Sequence, residues 1–327
     1  MRDSERWVDI TERVLHLRSI PVGAVLSPPV LKVIAENLRE CSFEKGEALM
    51  REGQPIDTFH MLTEGGLTLT RRGTLLGELK PPQTLGFLGI IARSEGTYDA
   101  IAELPTKALL LDAATLMELL EDHFSLLHAT LVYAAERFLY EIKELPAEEL
   151  SIPVQELPFP LPDRELDFLE RLLFLRSLSV FKQTNLNLLA QLSNQLREVR
   201  YPAGTPLWRS GDTVTCSTLV VAGTLSCEAD DGRRFRYGTG TAAGGVESIA
   251  SKPRWFTATA ETPVIVLEGR PDELIDLLED NFAMAMDFVG MFASGLVGLL
   301  ERKAARGQQP LAVLRNVSKL GAVPVGA

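Results

Sequence analysis

Few residues of this chain are arranged for chemistry, and most of those lie in one stretch. Gly238 to Gly245 reads G-T-G-T-A-A-G-G, and Arg254 follows it. A glycine-rich loop of this kind lets backbone N–H groups approach an anion, and a guanidinium supplies the counter-charge. The plainer account is a β-turn followed by an arginine paired with a carboxylate such as Glu247, and it is preferred because glycine runs alone discriminate poorly. Elsewhere there is no nucleophile elbow, no P-loop and no paired His–carboxylate spacing. The histidines His16, His60, His123 and His128 are scattered, and Cys41, Cys216 and Cys227 have no metal-ligand spacing, which suggests reduced structural thiols. Asp112, Glu121 and Asp122 sit where helices start or face solvent. No catalytic residue, metal site or cofactor is assigned.

The elements that position this stretch are written twice. Residues 17–124 align without a gap to residues 175–282 at an offset of 158, with 28 of 108 positions identical, among them Gly46/Gly204, Gly65/Gly223, Gly86/Gly244 and Pro105/Pro263. Glycines and leucines dominate the matches, as backbone geometry and core packing require. Each copy opens with a helical period, in Val30, Leu31, Val33, Ile34 and Leu38, and in Leu188, Leu189, Leu192 and Leu196. Short apolar runs between Gly and Pro turns follow, from Phe59 to Leu111 in the first copy, and predict many short antiparallel strands in a jelly roll. Helical spacing resumes from Leu116 to about Leu145, and the prolines 146, 153, 158, 160 and 162 then break it. The predicted class is α+β, two tandem antiparallel jelly rolls with flanking helices. Its divisions are an N-terminal helix (1–16), a first domain (17–145), a Pro-rich linker (146–163), a second domain (164–303) and a tail (304–327). The linker is either a stiff spacer or a strap laid along a surface.

The formal net charge of −11 over 327 residues argues against a nucleic-acid partner. Met1 to Ile20 mixes charge with apolar residues and has no signal-peptide pattern, so a cytoplasmic location is expected.

The motif run Phe43-Glu44-Lys45-Gly46-Glu47 with Leu49, then Glu52-Gly53-Gln54-Pro55-Ile56-Asp57 and Leu62-Thr63-Glu64-Gly65-Gly66-Leu67, resembles the cyclic-nucleotide-binding domain of the catabolite activator protein and the protein kinase A regulatory subunit. The second copy keeps the run more loosely, from Tyr201 to Leu207, Ser210 to Asp212 and Val220 to Leu225. The resemblance implies a phosphate-binding cassette, in which a Gly-Glu pair opens a short helix and an Arg precedes small residues. In it the Glu accepts from a ribose hydroxyl and the Arg pairs with the cyclic phosphate. By that registration Arg254 takes the phosphate position and Gly244 the cassette glycine. The Glu falls on Gly245, with Glu247 two residues on, and Trp255 stands where the family has a small residue. Trp255 then stacks on a base, fills the pocket itself, or rests exposed as an interaction anchor. In the first copy Gly86 is the glycine, Phe87 replaces the Glu and Gly96 replaces the Arg. One charged arginine hydrogen bond is worth about 1.5–3 kcal/mol net, so that apolar cassette is expected to be filled by its own side chains or to accept an apolar partner.

Phe282 to Leu300 is strongly apolar, but Asp287 interrupts it, and Gly290, Ser294 and Gly298 lie four apart on one face. A helix buried between domains or subunits is expected, including a homodimer through the C-terminal helices; a membrane anchor is disfavoured. The segment 304–327 predicts one short helix over 311–317 and a tail, too short for the DNA-binding domain that transcription factors of this family append. Two functions follow: a regulatory adaptor for an unidentified protein partner, which is preferred, and a sensor binding a cyclic nucleotide or other anionic nucleotide in the second domain only.

Overall fold

A computed structural model describes residues 8–182 and 184–305. The short helix expected over 311–317 lies outside them. The chain forms two compact units, one comprising Met1–Tyr133 with Val289–Ala327, the other Ala134–Phe288. Residues 289–303, which the sequence division gives to the second domain, thus group with the first unit, where Val297 and Glu301 line a cavity.

In the first unit helices Ile10–Arg18, Pro21–Ala24 and Pro28–Asn37 precede eight strands: β1 (Arg39–Phe43), β2 (Ala48–Met50), β3 (Thr58–Glu64), β4 (Leu67–Arg71), β5 (Thr74–Leu79), β6 (Thr84–Leu85), β7 (Asp99–Ala102) and β8 (Thr106–Asp112). They pair antiparallel in two four-stranded sheets, β1-β8-β3-β6 and β2-β7-β4-β5, which is the predicted jelly roll. Between the sheets lie Leu62, Leu67, Leu69, Leu79, Leu85, Ala100 and Ala108, each almost fully buried. Each leucine contributes about 1.5–3 kcal/mol by leaving water.

The second unit repeats this order with helices Phe168–Ser177 and Leu186–Gln195, then β9 (Arg197–Tyr201), β10 (Pro206–Trp208), β11 (Ser217–Ala222), β12 (Leu225–Ala229), β13 (Arg234–Tyr237), β14 (Ala242–Ala243), β15 (Phe256–Ala260) and β16 (Val264–Gly269). Its sheets are β14-β11-β16-β9 and β10-β15-β12-β13. Gly65 and Gly223 show why the repeated glycines match: φ is +86° and +87°, and a Cβ would lie 2.7 Å from the Pro105 carbonyl oxygen or 2.3 Å from that of Pro263.

The repeat reaches further upstream than residue 17. The Arg13 guanidinium donates to the Val8 and Leu38 carbonyls and pairs with Glu40 at 2.7 Å, while Glu40 accepts from the Val8 N–H. At the same offset, Arg171 donates to the Leu166 and Leu196 carbonyls, and Glu198 accepts from the Leu166 N–H. These clamps fix the first helix of each unit to its first strand. Asp9 and Asp167 cap those helices, the latter in a reciprocal capping box with Glu170.

The Pro-rich segment is a strap on the second unit. After a helical turn at Ala147–Leu150, Ile152 pairs parallel with Tyr237 of β13, an edge strand: the Ile152 N–H donates to the Arg236 carbonyl and the Gly238 N–H to the Ile152 carbonyl. A strap here covers an otherwise unpaired sheet edge. Helix Phe282–Ala305 includes a span, Phe282–Lys303, long and apolar enough to cross a membrane by length and composition. It buries Met284, Ala285, Phe288, Val289, Phe292, Ala293 and Leu296, the spacing of a core helix.

Candidate functional site

In the second unit the cassette turns at Gly244, with φ +70°, and continues as a short helix, Gly245–Ile249. Arg254 lies directly over that turn. A Cβ on residue 244 would sit 1.5 Å from Arg254 Nη1, so any larger residue displaces the guanidinium from this position, and φ +70° itself favours glycine. The Arg254 guanidinium rests on the Trp208 indole, with Cζ 4.1 Å from the ring centroid, and its Nη2 donates to the Cys216 carbonyl at 2.6 Å. Arg254 is buried, and burial pulls its pKa down against the opposing pull of Glu247.

The expected Arg254–Glu247 pair is not formed. Among the described residues Glu247 makes no ion pair, and its Oε1 is buried without a hydrogen-bond donor. Burial therefore holds the Glu247 carboxyl above the usual range, although a backbone hydrogen bond, Arg254 and Lys143 pull the other way. The indole of Trp208 and a main-chain carbonyl have taken the place of the carboxylate, because Trp208 is the surface on which the planar guanidinium stacks.

Trp255 is buried, stacked on Phe235 with centroids 5.5 Å apart, and meets Phe256 edge-on at 5.2 Å. Of its three predicted roles, burial excludes the exposed anchor. The glycine run serves the strap: a Cβ on Gly238 would lie 2.5 Å from the Val154 nitrogen, and one on Gly240 would lie 3.1 Å from the Gln155 side chain. The Gly238 and Gly240 N–H groups donate to Ile152 and Val220, so neither is directed at an anion. Gly245 opens the helix, and a Cβ there would lie 3.4 Å from the Ala242 Cβ, an ordinary contact.

The first unit's cassette has the same backbone and different contents. Gly86, φ +93°, starts helix Phe87–Ala92, and a Cβ there would lie 2.3 Å from the Thr58 carbonyl. Phe87 packs edge-on against Phe59 at 5.8 Å. Gly96 stands so close to the Arg51 carbonyl that a Cβ would approach it to 2.5 Å, which bars an arginine without a backbone shift. Phe87 and Leu88 of the helix, Met50 and Leu69 of the barrel, and Tyr133 and Val297 from flanking helices line this cassette and leave a cavity of about 110 Å³ with an open mouth. Thr97 lines this space, where the second copy has Trp255.

Trp208 and the cavity wall escaped the sequence reading. The repeat itself carried the signal, since the offset of 158 sets Met50 against Trp208, Gly77 against Phe235 and Thr97 against Trp255. Among the described residues no His, Cys, Asp and Glu cluster is arranged to hold a metal ion.

Among solved structures the chain is similar to the regulatory subunit of a cAMP-independent protein kinase A from Trypanosoma brucei, at 14% identity over 93% of this chain and 91% of that one, with a TM-score of 0.36. The regulatory domain of Toxoplasma gondii protein kinase A is similar at 14% identity over 91% and 97%, TM-score 0.34. A cyclic nucleotide-binding-like protein from Brucella abortus is similar at 24% identity over 34% and 98%, TM-score 0.30. No curated protein matches the chain. The family model for the cyclic nucleotide-binding domain matches residues 40–123 and again residues 198–281, more than half of the chain in two registers that are the two jelly rolls described above. The chain therefore belongs to the cyclic nucleotide-binding domain family, as two tandem copies.

Proposed function

We propose that the chain is a non-enzymatic regulatory protein of the cytoplasm, needing no cofactor, whose two degenerate domains act as an adaptor for a protein partner. The observation that carries this reading is the inward packing of Arg254. The group that would pair with a cyclic phosphate is committed to Trp208 and the Cys216 carbonyl, and Trp255 fills the space beside it. A nucleotide would have to break these contacts before making its own, and the Glu that would hold its ribose is Gly245. The partner is either another protein or a second copy docked through the C-terminal helix, which size-exclusion chromatography with light scattering distinguishes.

A second reading has its own support. Arg254 Nη1, Glu247 Oε1, Thr241 Oγ1 and Ser248 Oγ are all buried without hydrogen-bond partners, and unpaired polar atoms gathered in one cassette favour an anionic nucleotide there. Thermal unfolding against cyclic mononucleotides and cyclic dinucleotides separates the two. A ligand at 100 times its Kd stabilises its domain by about 2.7 kcal/mol. The adaptor reading expects no shift; a shift that disappears in Arg254→Ala overturns it.

A further inference from the structure

We infer that the first unit's cassette cavity is a binding site for an uncharged, largely apolar aromatic small molecule, and not for a phosphate-bearing one. The inference does not depend on the adaptor reading, which rests on the second unit.

The two units share strand register around this space. Leu69 faces Gly77 as Cys227 faces Phe235, and Met50 faces Ala100 as Trp208 faces Ala258. Within that shared frame, the side chains that close the second barrel are Trp208, Phe235, Arg254 and Trp255, joined by ring contacts of 5.2–5.7 Å among Trp208, Phe235, Trp255 and Phe256. Their counterparts in the first are Met50, Gly77, Gly96 and Thr97. Three aromatic rings and a guanidinium are thereby replaced by a flexible thioether, two glycines and a threonine. The volume released is that of a planar ring system. Its enclosed volume, about 110 Å³, is of the order of the roughly 150 Å³ apolar cavity that holds benzene, so a single ring enters it and the rest of a guest lies in the open mouth.

Charge selects the class of ligand. Among the described residues Arg71 is the one cation lining the cavity, and it already lies 3.8 Å from both Glu52 and Glu301. Glu95 also lines the space, so carboxylates outnumber cations at the mouth. A phosphate or sulfonate entering here meets net negative charge and no uncommitted cation. Deeper in, Met50 and Leu69 are buried and apolar, and burial pushes the Tyr98 phenol up to about 12, so it stays a neutral group. Methionine adapts to the outline of an aromatic guest.

A matched pair of fluorescent probes tests the inference on the full chain: N-phenyl-1-naphthylamine and 8-anilino-1-naphthalenesulfonate, which differ by one sulfonate. The neutral probe is expected to saturate at one per chain and to bind at least about tenfold more tightly than the sulfonate. Thr97→Trp and, separately, Met50→Trp install the second unit's residues and are expected to abolish neutral-probe binding, with folding verified by circular dichroism. Glu301→Gln is expected to narrow the gap between the probes. Failure of the neutral probe to bind, equal or tighter binding of the sulfonate, retention of binding in both folded tryptophan variants, or displacement by a cyclic nucleotide each overturns the inference.

Discussion

Replacing Arg254 with alanine distinguishes an arginine that holds its own domain together from one kept for a ligand. In the folded second unit the guanidinium donates to the Cys216 carbonyl at 2.6 Å, and a charged hydrogen bond of this kind contributes about 1.5–3 kcal/mol. Its stack on Trp208 at 4.1 Å, away from water, contributes about 2 kcal/mol more. Against these stands the unpartnered Nη1, whose desolvation costs about 1–3 kcal/mol. The balance is a loss of about 0.5–4 kcal/mol on substitution, centred near 2, or roughly 4–8 °C in Tm at the centre for a unit of this size. Urea unfolding followed by tryptophan fluorescence reads the second unit preferentially, because Trp208 and Trp255 are two of the three tryptophans. Arg254→Lys, which keeps charge but loses the planar stack, is expected to fall between wild type and alanine. Unchanged or increased stability in Arg254→Ala would refute the reasoning, since a residue held unpaired for a ligand costs the free protein stability.

Two further outcomes are expected. His60 is buried, its Nδ1 has no partner, and burial lowers its pKa from 6.5 to about 4 against the opposing effect of Asp57. Its contribution is complete above pH 6.5 and is lost as pH falls toward 4, because only the unfolded chain takes up the proton in that window; the loss is about 3 kcal/mol. Unfolding measured at pH 7 and pH 4.5 should show a smaller difference in His60→Gln than in wild type. Gly238→Ala places a methyl group 2.5–2.7 Å from the Val154 and Pro153 backbone, which has no room to yield, and should free the strap. Limited proteolysis within 146–163 should accelerate severalfold, and an unchanged cleavage rate would show that the strap does not depend on this contact.

The fold was largely legible before any coordinates. Glycines at matching positions, such as Gly65 and Gly223, are constrained by local backbone conformation and by one close carbonyl, and alternating apolar runs report which strand face is inside. These are short-range requirements that each residue displays in its own type. The start of the repeat was less visible, since the clamps of Arg13 and Arg171 reach the Leu38 and Leu196 carbonyls, more than twenty residues away, and have no local pattern. Glycine at 238 and 240 had a dual meaning in sequence, as an anion loop or as clearance for another segment, and only the position of Ile152 to Gln155 chose between them.

The sequence by itself determined two jelly rolls, the identity of the cassettes and the absence of both ligand groups from the first. Tertiary structure alone decided how closely each cassette is packed. Occupancy is the sum of side-chain volumes converging from several strands, and the exchanges of Trp208 for Met50, Phe235 for Gly77 and Trp255 for Thr97 act on one space only after the sheets have closed. The fate of Arg254 is tertiary for the same reason: a guanidinium pairs with whichever acceptor and ring the fold brings within reach, and here these are the Cys216 carbonyl and Trp208, not the nearby carboxylate of Glu247.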